Sequence, residues 1–473
     1  MWIALRFPLL PLEIFLRGSR TPEPFAVEAR HSVLACSDEA AVRGVCAGMA
    51  ASAALALVPS LRIAARDPRS ESEALAGMAA WAGQFTPRVA IEPPATLLLE
   101  ISGSLKLFRG LEALAGALRW GAAEMGYGTL IAAAPTPRAA FWLAAAGHEK
   151  LVTDPAQIEA ALAALPVSVL VCAKDELETL EGIGVATLGE LRTLPRDGVA
   201  RRFRRTLLDD LDRALGLVPD PRAFYAPPER FRAAIELPAE VSEAEALLFA
   251  ARRLVVQLAG FLAARGSGVQ RFALALAHRD REATRVEIGL SAAARDAERF
   301  TMLLRERLSA LQLREPVRAV ALEADDVTSL PGEEPELVFE KGRPPGQWQH
   351  LVERLRARLG AGAVHGVAVR AEHRPERACV LADPGAEQMH AYFGERPFWL
   401  LRHPKRLQEI GGVPHHEGPL ELLAGPERIE SGWWDGDDAS RDYFVARASS
   451  EALVWIYRDR RGDGGWHLHG VFA

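Results

Sequence analysis

Leu177-Glu178-Thr179-Leu180-Glu181-Gly182-Ile183-Gly184-Val185-Ala186-Thr187-Leu188-Gly189-Glu190-Leu191 is the stretch that decides how this chain is read. Leucines at 177, 180, 188 and 191 sit at helical spacing on either side of Gly182-Ile183-Gly184, which predicts two short helices joined by a tight turn. Glycine has no Cβ, so backbone N–H groups in such a turn can come close to a phosphate, and the second helix offers its N-terminus. The same spacing also makes a plain αα-turn that holds nothing. The neighbourhood separates the two readings.

Just downstream stands Arg201-Arg202-Phe203-Arg204-Arg205. Alone, a run like this is a solvated helix face. Behind a glycine turn it supplies the cations of a helix-hairpin-helix, which grips DNA backbone without reading sequence. Gly182, Ile183, Gly184, Arg201, Arg202, Arg204 and Arg205 are therefore DNA-binding candidates.

Farther on, residues 217–229 (LVPDPRAFYAPPE) hold four prolines and read as a linker. Hydrophobic periodicity then predicts strand 230–237, helix 243–264, strands 268–277 and 283–291, helix 294–312 and strand 316–324, a βαββαβ domain. Upstream, strands are expected at Met1–Phe7, Phe25–Leu34, Arg88–Ile91, Thr96–Ile101 and Thr129–Ala134. Helices are expected from Asp38 through Ala40–Ala56, and over Glu71–Phe85, Leu105–Met125 and Pro137–Ala146. The fold class is α+β and multidomain, with the mixed α/β layer running to about residue 170. A helix at Gln347–Leu359 leads into a C-terminal region of short strands rich in Trp, Gly and Asp.

Composition bounds the rest. Hydrophobic residues make up 49% and charged residues 25%, which excludes a disordered or fibrous chain. The longest uncharged apolar run, 160–173, has 14 residues, short of the ~20 that cross a bilayer, so no membrane association is expected. The net charge of −6 announces no polyanion partner, yet only five of the 56 basic residues are lysine. Arginine suits bidentate phosphate contacts; a GC-rich genome produces the same bias. The four cysteines are scattered, without metal-ligand or disulfide spacing, and no targeting segment is evident, so a cytoplasmic protein without cofactors is expected.

An α/β region, a glycine hairpin and a βαββαβ domain in this order resemble the palm and fingers, thumb and little finger of Y-family translesion DNA polymerases. Ser32–Met49 followed by Ala54–Leu61 resembles the fingers segment. Arg88–Ser102 resembles the palm hairpin that carries the second acidic motif. Ala133–Ala145 resembles the later palm strand and helix, with Arg138 where the family usually has a basic residue, and so a further DNA-binding candidate. The resemblance covers roughly residues 1–325 and implies domains at 1–170 (palm and fingers), 171–220 (thumb) and 230–325 (little finger).

The catalytic positions depart from the family. Two-metal nucleotidyl transfer needs carboxylates to hold two Mg²⁺ ions. Arg6 stands at the first acidic position, Pro8 two residues on, Pro11 near the steric gate, and Ala95-Thr96 replace the Asp-Glu pair. The triphosphate-holding Tyr and Arg of the fingers align with Asp38 and Ala41. A fixed cation at Arg6 repels a metal ion, and no metal site or catalytic residue is expected. Glu13, Glu92 and Glu100 are the nearby acids, displaced along the chain. A displacement of four strand residues is ~13 Å.

Loss of the acids with retention of the order resembles the ImuB group, the catalytically silent Y-family homologues of bacterial mutagenic repair cassettes. The C-terminal segments Gly425–Asp435, Arg441–Phe444, Trp455–Asp459 and His467–Phe472 match its signature. By their chemistry these are a β-rich module whose aromatics make either a small core or an interface. Asp435, Asp437, Asp438 and Asp442 read as a solvated acidic turn rather than a metal site. The acidic Pro/Gly linker at 326–345 contains Glu334-Pro335-Glu336-Leu337-Val338-Phe339, a degenerate form of the Q-x-x-L-x-F ligand of sliding clamps, with Glu334, Leu337 and Phe339 as clamp-binding candidates. The alternative there is a short apolar segment packing on its neighbour. The resemblance implies an SOS-type adaptor that binds primer–template DNA, with residues 346–473 recruiting partners. The partners it implies are the sliding clamp, a RecA-like companion protein (ImuA) and an error-prone replicative-type polymerase alpha subunit. An active polymerase with rearranged ligands, and a helix-hairpin-helix DNA-binding protein outside any polymerase complex, are the competing readings.

Overall fold

The computed structural model describes residues 1–20, 23–170, 174–313, 315–330, 347–386, 395–461 and 464–472. Glu334, Leu337 and Phe339, with the whole degenerate clamp motif, lie outside them. The chain divides into two compact units, residues 1–358 and 359–473.

The first unit opens with β1 (Trp2–Arg6) and α1 (Leu10–Leu16), then β2 (Phe25–Ala29) and β3 (Ser32–Cys36). One continuous strand over Phe25–Leu34 is therefore a correction: Arg30 and His31 adopt φ of 51° and 63° and turn the chain into a hairpin. The long helix expected through Ala56 is likewise broken into α2 (Asp38–Ala41) and α3 (Ala51–Leu57), because Gly44 and Gly48 at φ 93° and 84° leave the helical region between them. β4 (Arg62–Ala65) pairs parallel to β2 to complete a three-stranded sheet.

α4 (Pro68–Ala82) leads to β5 (Val89–Glu92), β6 (Thr96–Glu100), α5 (Leu111–Glu124), β7 (Leu130–Ala134) and α6 (Pro137–Ala145). α5 starts six residues later than Leu105 because Arg109 and Gly110 take positive φ ahead of it. The four strands form an antiparallel sheet in the order β5-β6-β1-β7. Side chains alternate faces along a strand. Ile3, Leu5, Leu97 and Leu99 join Met78 of α4 and Leu118 of α5 on one face, while Ala4, Leu98 and Ala132 join Ala140 and Leu143 of α6 on the other. Arg6 and Thr96 follow Ala4 and Leu98 at period two, on the α6 face.

Four short helices continue the second core: α7 (Ile158–Ala163), α8 (Lys174–Gly182), α9 (Leu188–Thr193) and α10 (Arg196–Arg202); α11 (Arg205–Ala214) follows. Leu180, Val185, Leu188, Leu191, Val199, Phe203, Leu207 and Leu211 are buried there, at roughly 1.5–3 kcal/mol for each fully buried large aliphatic or aromatic side chain.

The βαββαβ order follows: β8 (Phe231–Val241), α12 (Ala244–Ala264), β9 (Ser267–Ala277), β10 (Thr284–Ala294), α13 (Ala297–Ser309) and β11 (Val317–Ala324), with β12 (Val327–Ser329) pairing β9. The sheet order is β10-β9-β11-β8. α12 is long and apolar enough, by length and composition, to cross a membrane. Its apolar side chains are instead buried against the sheet, α13 and α4. α14 (Gln347–Leu359), expected to open the C-terminal region, belongs almost wholly to the first unit. Glu353 fixes it by accepting the Ser291 N–H at 2.7 Å and ion-pairing with Arg299 at 2.6 Å.

The second unit contains the pair β13 (Gly366–Val369) and β14 (Cys379–Ala382), then β15 (Trp399–Arg406), and a small hairpin of β16 (Gln408–Ile410) and β17 (Val413–His415). β18 (Glu421–Ser431), β19 (Ala439–Arg447), β20 (Leu453–Asp459) and β21 (Trp466–Val471) complete it. The main sheet runs β15-β21-β20-β19-β18, and its strands are longer than the short ones expected. Tyr443, Trp455, Tyr457 and Trp466 are buried within it.

Candidate nucleic-acid interface

Cross-strand register brings together residues that the resemblance sets at the family's acidic positions. Arg6 on β1 lies opposite Thr96 on β6, and Phe7 donates its N–H to the Ala95 carbonyl at 2.8 Å. Thr96 in turn lies opposite Glu92 on β5. The Arg6 guanidinium is part-buried, which lowers its pKa by desolvation, and no hydrogen-bond or ion-pair partner is found for it among the described residues. A site of Arg6, Pro8, Ala95 and Thr96 offers no carboxylate oxygen and does not fit a divalent cation.

The neighbouring acids are all engaged elsewhere. Glu92 is held by Arg222 of the Pro-rich linker, which also pairs with Asp220 at 2.6 Å. That linker runs along the sheet, with the Tyr225 N–H on the Val89 carbonyl at 2.7 Å and Phe224 stacked on Trp2 at 6.3 Å. Glu100 sits at the far end of β6 opposite Trp2. It is held by Arg88 at 3.3 Å and the Ser102 N–H at 3.0 Å, and its pKa lies below the ordinary carboxylate value despite the opposing effect of burial. Glu13 accepts the Gly128 N–H at 2.8 Å, and desolvation pushes its pKa up to about 7. Among the described residues no three of His, Cys, Asp and Glu gather in a way that could hold a metal ion.

At the glycine turn, α8 ends and α9 begins around Gly184, whose φ of 83° explains the glycine. Gly182, Ile183 and Gly184 are exposed, and open space lies beside both glycines. The backbone donors, however, are used within the turn. Ile183 donates to the Thr179 carbonyl (3.1 Å), Gly184 to Glu181 (3.0 Å) and Val185 to Leu180 (2.9 Å). Ala186 and Thr187 both donate to Glu190 Oε2, at 2.8 and 2.9 Å, while the Thr187 hydroxyl accepts the Glu190 N–H at 3.2 Å, a capping box on α9.

The basic run is divided by the fold. Arg201 and Arg202 end α10 exposed, with no partner among the described residues. Arg204 is exposed but lies 3.7 Å from Glu176, and Arg205 opens α11. Arg138 does not join this group: it is largely buried and pairs with Asp210 of α11 at 3.1 Å, fastening α6 to α11.

A surface that the sequence reading missed lies on the βαββαβ sheet, on the face away from α12 and α13. Ala234, Ala273, Ala275, Ala319 and Ala321 form a low floor at alternating positions, crossed by Arg232, Arg271 and Arg285 and by Glu236, Glu287 and Glu323. Glu323 holds Arg285 at 2.8 Å and Arg232 at 3.5 Å; Arg271 has no partner among the described residues. The signal was present in the alternation of Arg271, Ala273 and Ala275 with the large apolar Phe272, Leu274 and Leu276.

Residues 18–145 match the family model described as impB/mucB/samB. That segment is similar to the impB/mucB/samB family. The matched impB/mucB/samB residues begin after β1, so they include Ala95 and Thr96 but not Arg6. Across 91% of this chain and all of the relative, the sequence is 28% identical to Protein ImuB of Caulobacter vibrioides strain NA1000 / CB15N, and equally to that of strain ATCC 19089 / CIP 103742 / CB 15. Solved structures similar to it include a Dbh ternary complex (TM-score 0.39, 14% identity, 70% of this chain and 100% of that one) and DinB from Sulfolobus solfataricus (TM-score 0.38, 14% identity, 70% and 99%).

Proposed function

We propose that this chain is a non-catalytic, polymerase-shaped adaptor acting in DNA-damage-induced mutagenesis and translesion synthesis in the cytoplasm. Residues 1–170, 171–220 and 230–325 then correspond to palm with fingers, a helix-hairpin-helix thumb and a little finger. The observation that carries the reading is the cross-strand pair of Arg6 and Thr96, a cation and a hydroxyl where the family's two-metal chemistry needs acids. DNA is held through its backbone by exposed Arg201, Arg202 and Arg204 and by the arginine-crossed sheet face around Arg271. The C-terminal unit recruits proteins: a RecA-like companion and an error-prone replicative-type polymerase alpha subunit, with the sliding clamp reached through Glu334, Leu337 and Phe339.

The test is primer extension beside DNA binding. The full chain should bind primer–template DNA at low salt, lose affinity steeply as salt rises, and add no nucleotide with Mg²⁺ or Mn²⁺. Incorporation abolished by Glu92→Gln or Glu100→Gln would establish the active-polymerase reading instead.

A further inference from the structure

Cys36 and Cys46 stand at no recognisable disulfide spacing in the sequence, yet the fold brings them together. Cys36 ends β3, and the chain then passes through α2 and returns along the same strand. Gly48 donates its N–H to the Val33 carbonyl at 2.8 Å, Val33 donates to the Met49 carbonyl at 2.8 Å, and Ser32 bridges Ala50 in antiparallel register. Val45, 2% exposed, shares a small core with Val33 and Ala40, and its N–H is held by the Ala40 carbonyl at 3.1 Å. On the other side, Ser37 donates its N–H to the Phe25 carbonyl at 2.8 Å. Hydrogen-bonded neighbours thus fix the backbone beside both cysteines.

The two sulfurs differ in their surroundings. Cys36 is part-buried, and its thiol donates to the Val45 carbonyl at 3.4 Å. That carbonyl carbon is bonded to the Cys46 nitrogen, so the Cys36 sulfur lies within roughly 6 Å of the Cys46 Cα, close enough for a disulfide once the Cys46 side chain turns toward it. Burial pushes the Cys36 thiol above its ordinary pKa, and Cys46 and Asp38 beside it add to the effect. Cys36 therefore rests protonated, and exposed Cys46 is the thiol that meets solvent. Gly44 and Gly48, at φ of 93° and 84°, shape the loop that carries Cys46, and open space lies beside Gly48.

We propose that Cys36 and Cys46 are a redox-sensitive dithiol, reduced in the resting protein and joined into a disulfide by hydrogen peroxide. The Cys46 thiolate attacks one peroxide oxygen. The S–O bond forms as the O–O bond breaks, the departing hydroxide takes up the proton that Cys46 released, and Cys46 becomes a sulfenic acid, oxidised by two electrons. The Cys36 sulfur then attacks the Cys46 sulfur. The S–S bond forms, the S–O bond breaks, and the second hydroxide leaves as water with the Cys36 proton. Two thiols and one peroxide thus give one disulfide and two waters. An exposed thiol with a resolving partner at hand oxidises reversibly, where an isolated one goes on to sulfinic acid. Cys379 is the contrast, exposed on β14 and paired with β13, which holds no cysteine. The bridge ties the end of β3 to the loop ahead of α3 and encloses α2. Neither DNA nor a protein partner enters this chemistry.

The experiment treats the reduced full chain with limiting hydrogen peroxide and maps its peptides by mass spectrometry without reduction. The expected product is one cross-linked pair, Cys36 with Cys46, lighter by two hydrogen atoms and restored by dithiothreitol, while Cys379 remains a thiol. Cys36→Ser should leave Cys46 as a sulfenic acid trapped by dimedone, and Cys46→Ser should leave Cys36 reduced. Residues this near in sequence also pair in an unfolded chain, so the disulfide equilibrium with glutathione is measured in native buffer and in urea. A bridge that the fold prearranges should be favoured at least ~10-fold in the native chain, and by linkage oxidation should raise the thermal midpoint. Equal or weaker formation in the native chain overturns the proposal, as does a lowered midpoint. Oxidation of Cys46 to sulfinic acid with Cys36 still free overturns it too, and so do cross-links made instead to Cys172, Cys379 or a second chain.

Discussion

Gly260 of α12 lies flat against the indole of Trp81 on α4, leaving no space for a Cβ. The contact belongs to a run of notches between these helices: Gly77 faces Gln257 and Gly83 faces Ala264. The βαββαβ domain is joined to the sheet domain by helix packing as well as by a linker. Gly260→Ala should destabilise the protein by about 1–3 kcal/mol through overpacking. Gly116→Ala, on an exposed face of α5 with open space around it, should instead stabilise it by a few tenths to ~1 kcal/mol. Thermal melts of the two variants should shift in opposite directions.

Glu13 gives the same region a pH dependence. Desolvation raises its folded-state pKa to about 7, against an ordinary value of 4.5, with the Gly128 N–H, Arg253 and Arg17 opposing the shift. Between those two pH values the folded state holds a proton that the unfolded state has released. The stability contributed by Glu13 is therefore full below about 4.5, falls as pH rises to about 7, and is flat above it. Glu13→Gln should remove this slope while keeping the oxygen that accepts from Gly128. Urea midpoints from pH 5 to 8 check it: the wild type should lose stability relative to the variant as pH rises, and parallel curves would remove Glu13 as the cause.

The C-terminal turn responds to acid in the opposite sense. Arg374 holds the Asp435 carboxyl far below the ordinary range and that of Glu372 down to about 2. Their stabilisation is present above pH ~4.5 and is lost as pH falls toward 2. Arg374→Ala should lower the unfolding temperature of the C-terminal unit and flatten its acid transition between pH 4.5 and 2. Arg377→Ala, at an exposed position that pairs with Asp435 and Asp437 of the same turn, should do so much less.

How much of this was legible in the sequence follows from what each signal depends on. The βαββαβ order could be read because alternation and helical periodicity are local, and nearly every element falls within a few residues of expectation. The opposition of Arg6 and Thr96 was not legible, because their strands are far apart in the chain and no hairpin turn sets their register. Arg222 on Glu92 was not legible, because it joins residues 130 apart across a proline-rich linker. Nor was the fate of Arg138: its charge suggested phosphate, and only the placement of α11 shows that Asp210 takes it. The acidic turn at 435–442 read as solvated because its buried counter-charge, Arg374, lies some sixty residues away. Helix breaks at Gly44 and Gly48 were missed because alanine propensity masked the positive φ that the chain requires there.

Glu190 occupies the backbone donors that a phosphate would use at the glycine turn. Its carboxylate accepts from Ala186 and Thr187, and those bonds hold its pKa below the ordinary value. If the turn grips DNA as proposed, Glu190→Ala should free both N–H groups, remove a negative charge and tighten DNA binding at low salt, while weakening the cap of α9. Thr187→Ala should cost about 1 kcal/mol of stability through the same cap without that gain in affinity. A fluorescence-anisotropy titration of both variants separates the effects, and weaker binding by Glu190→Ala would show that the turn does not contact phosphate.

Arg201 and Arg202 provide the sharpest test of backbone binding. Both are exposed and unpaired among the described residues, whereas Arg138 is tied to Asp210. Removing one arginine that neutralises a phosphate should reduce the slope of log affinity against log salt by about 0.9 on duplex DNA. Arg201→Ala/Arg202→Ala should therefore lower the slope by up to ~1.8 and weaken binding equally on unrelated sequences. Arg138→Ala should leave the slope unchanged and lower the thermal midpoint, because it breaks a largely buried pair between α6 and α11. The reverse outcome, with the slope falling only for Arg138→Ala, would place the DNA on the α6 side of the sheet and not along α10.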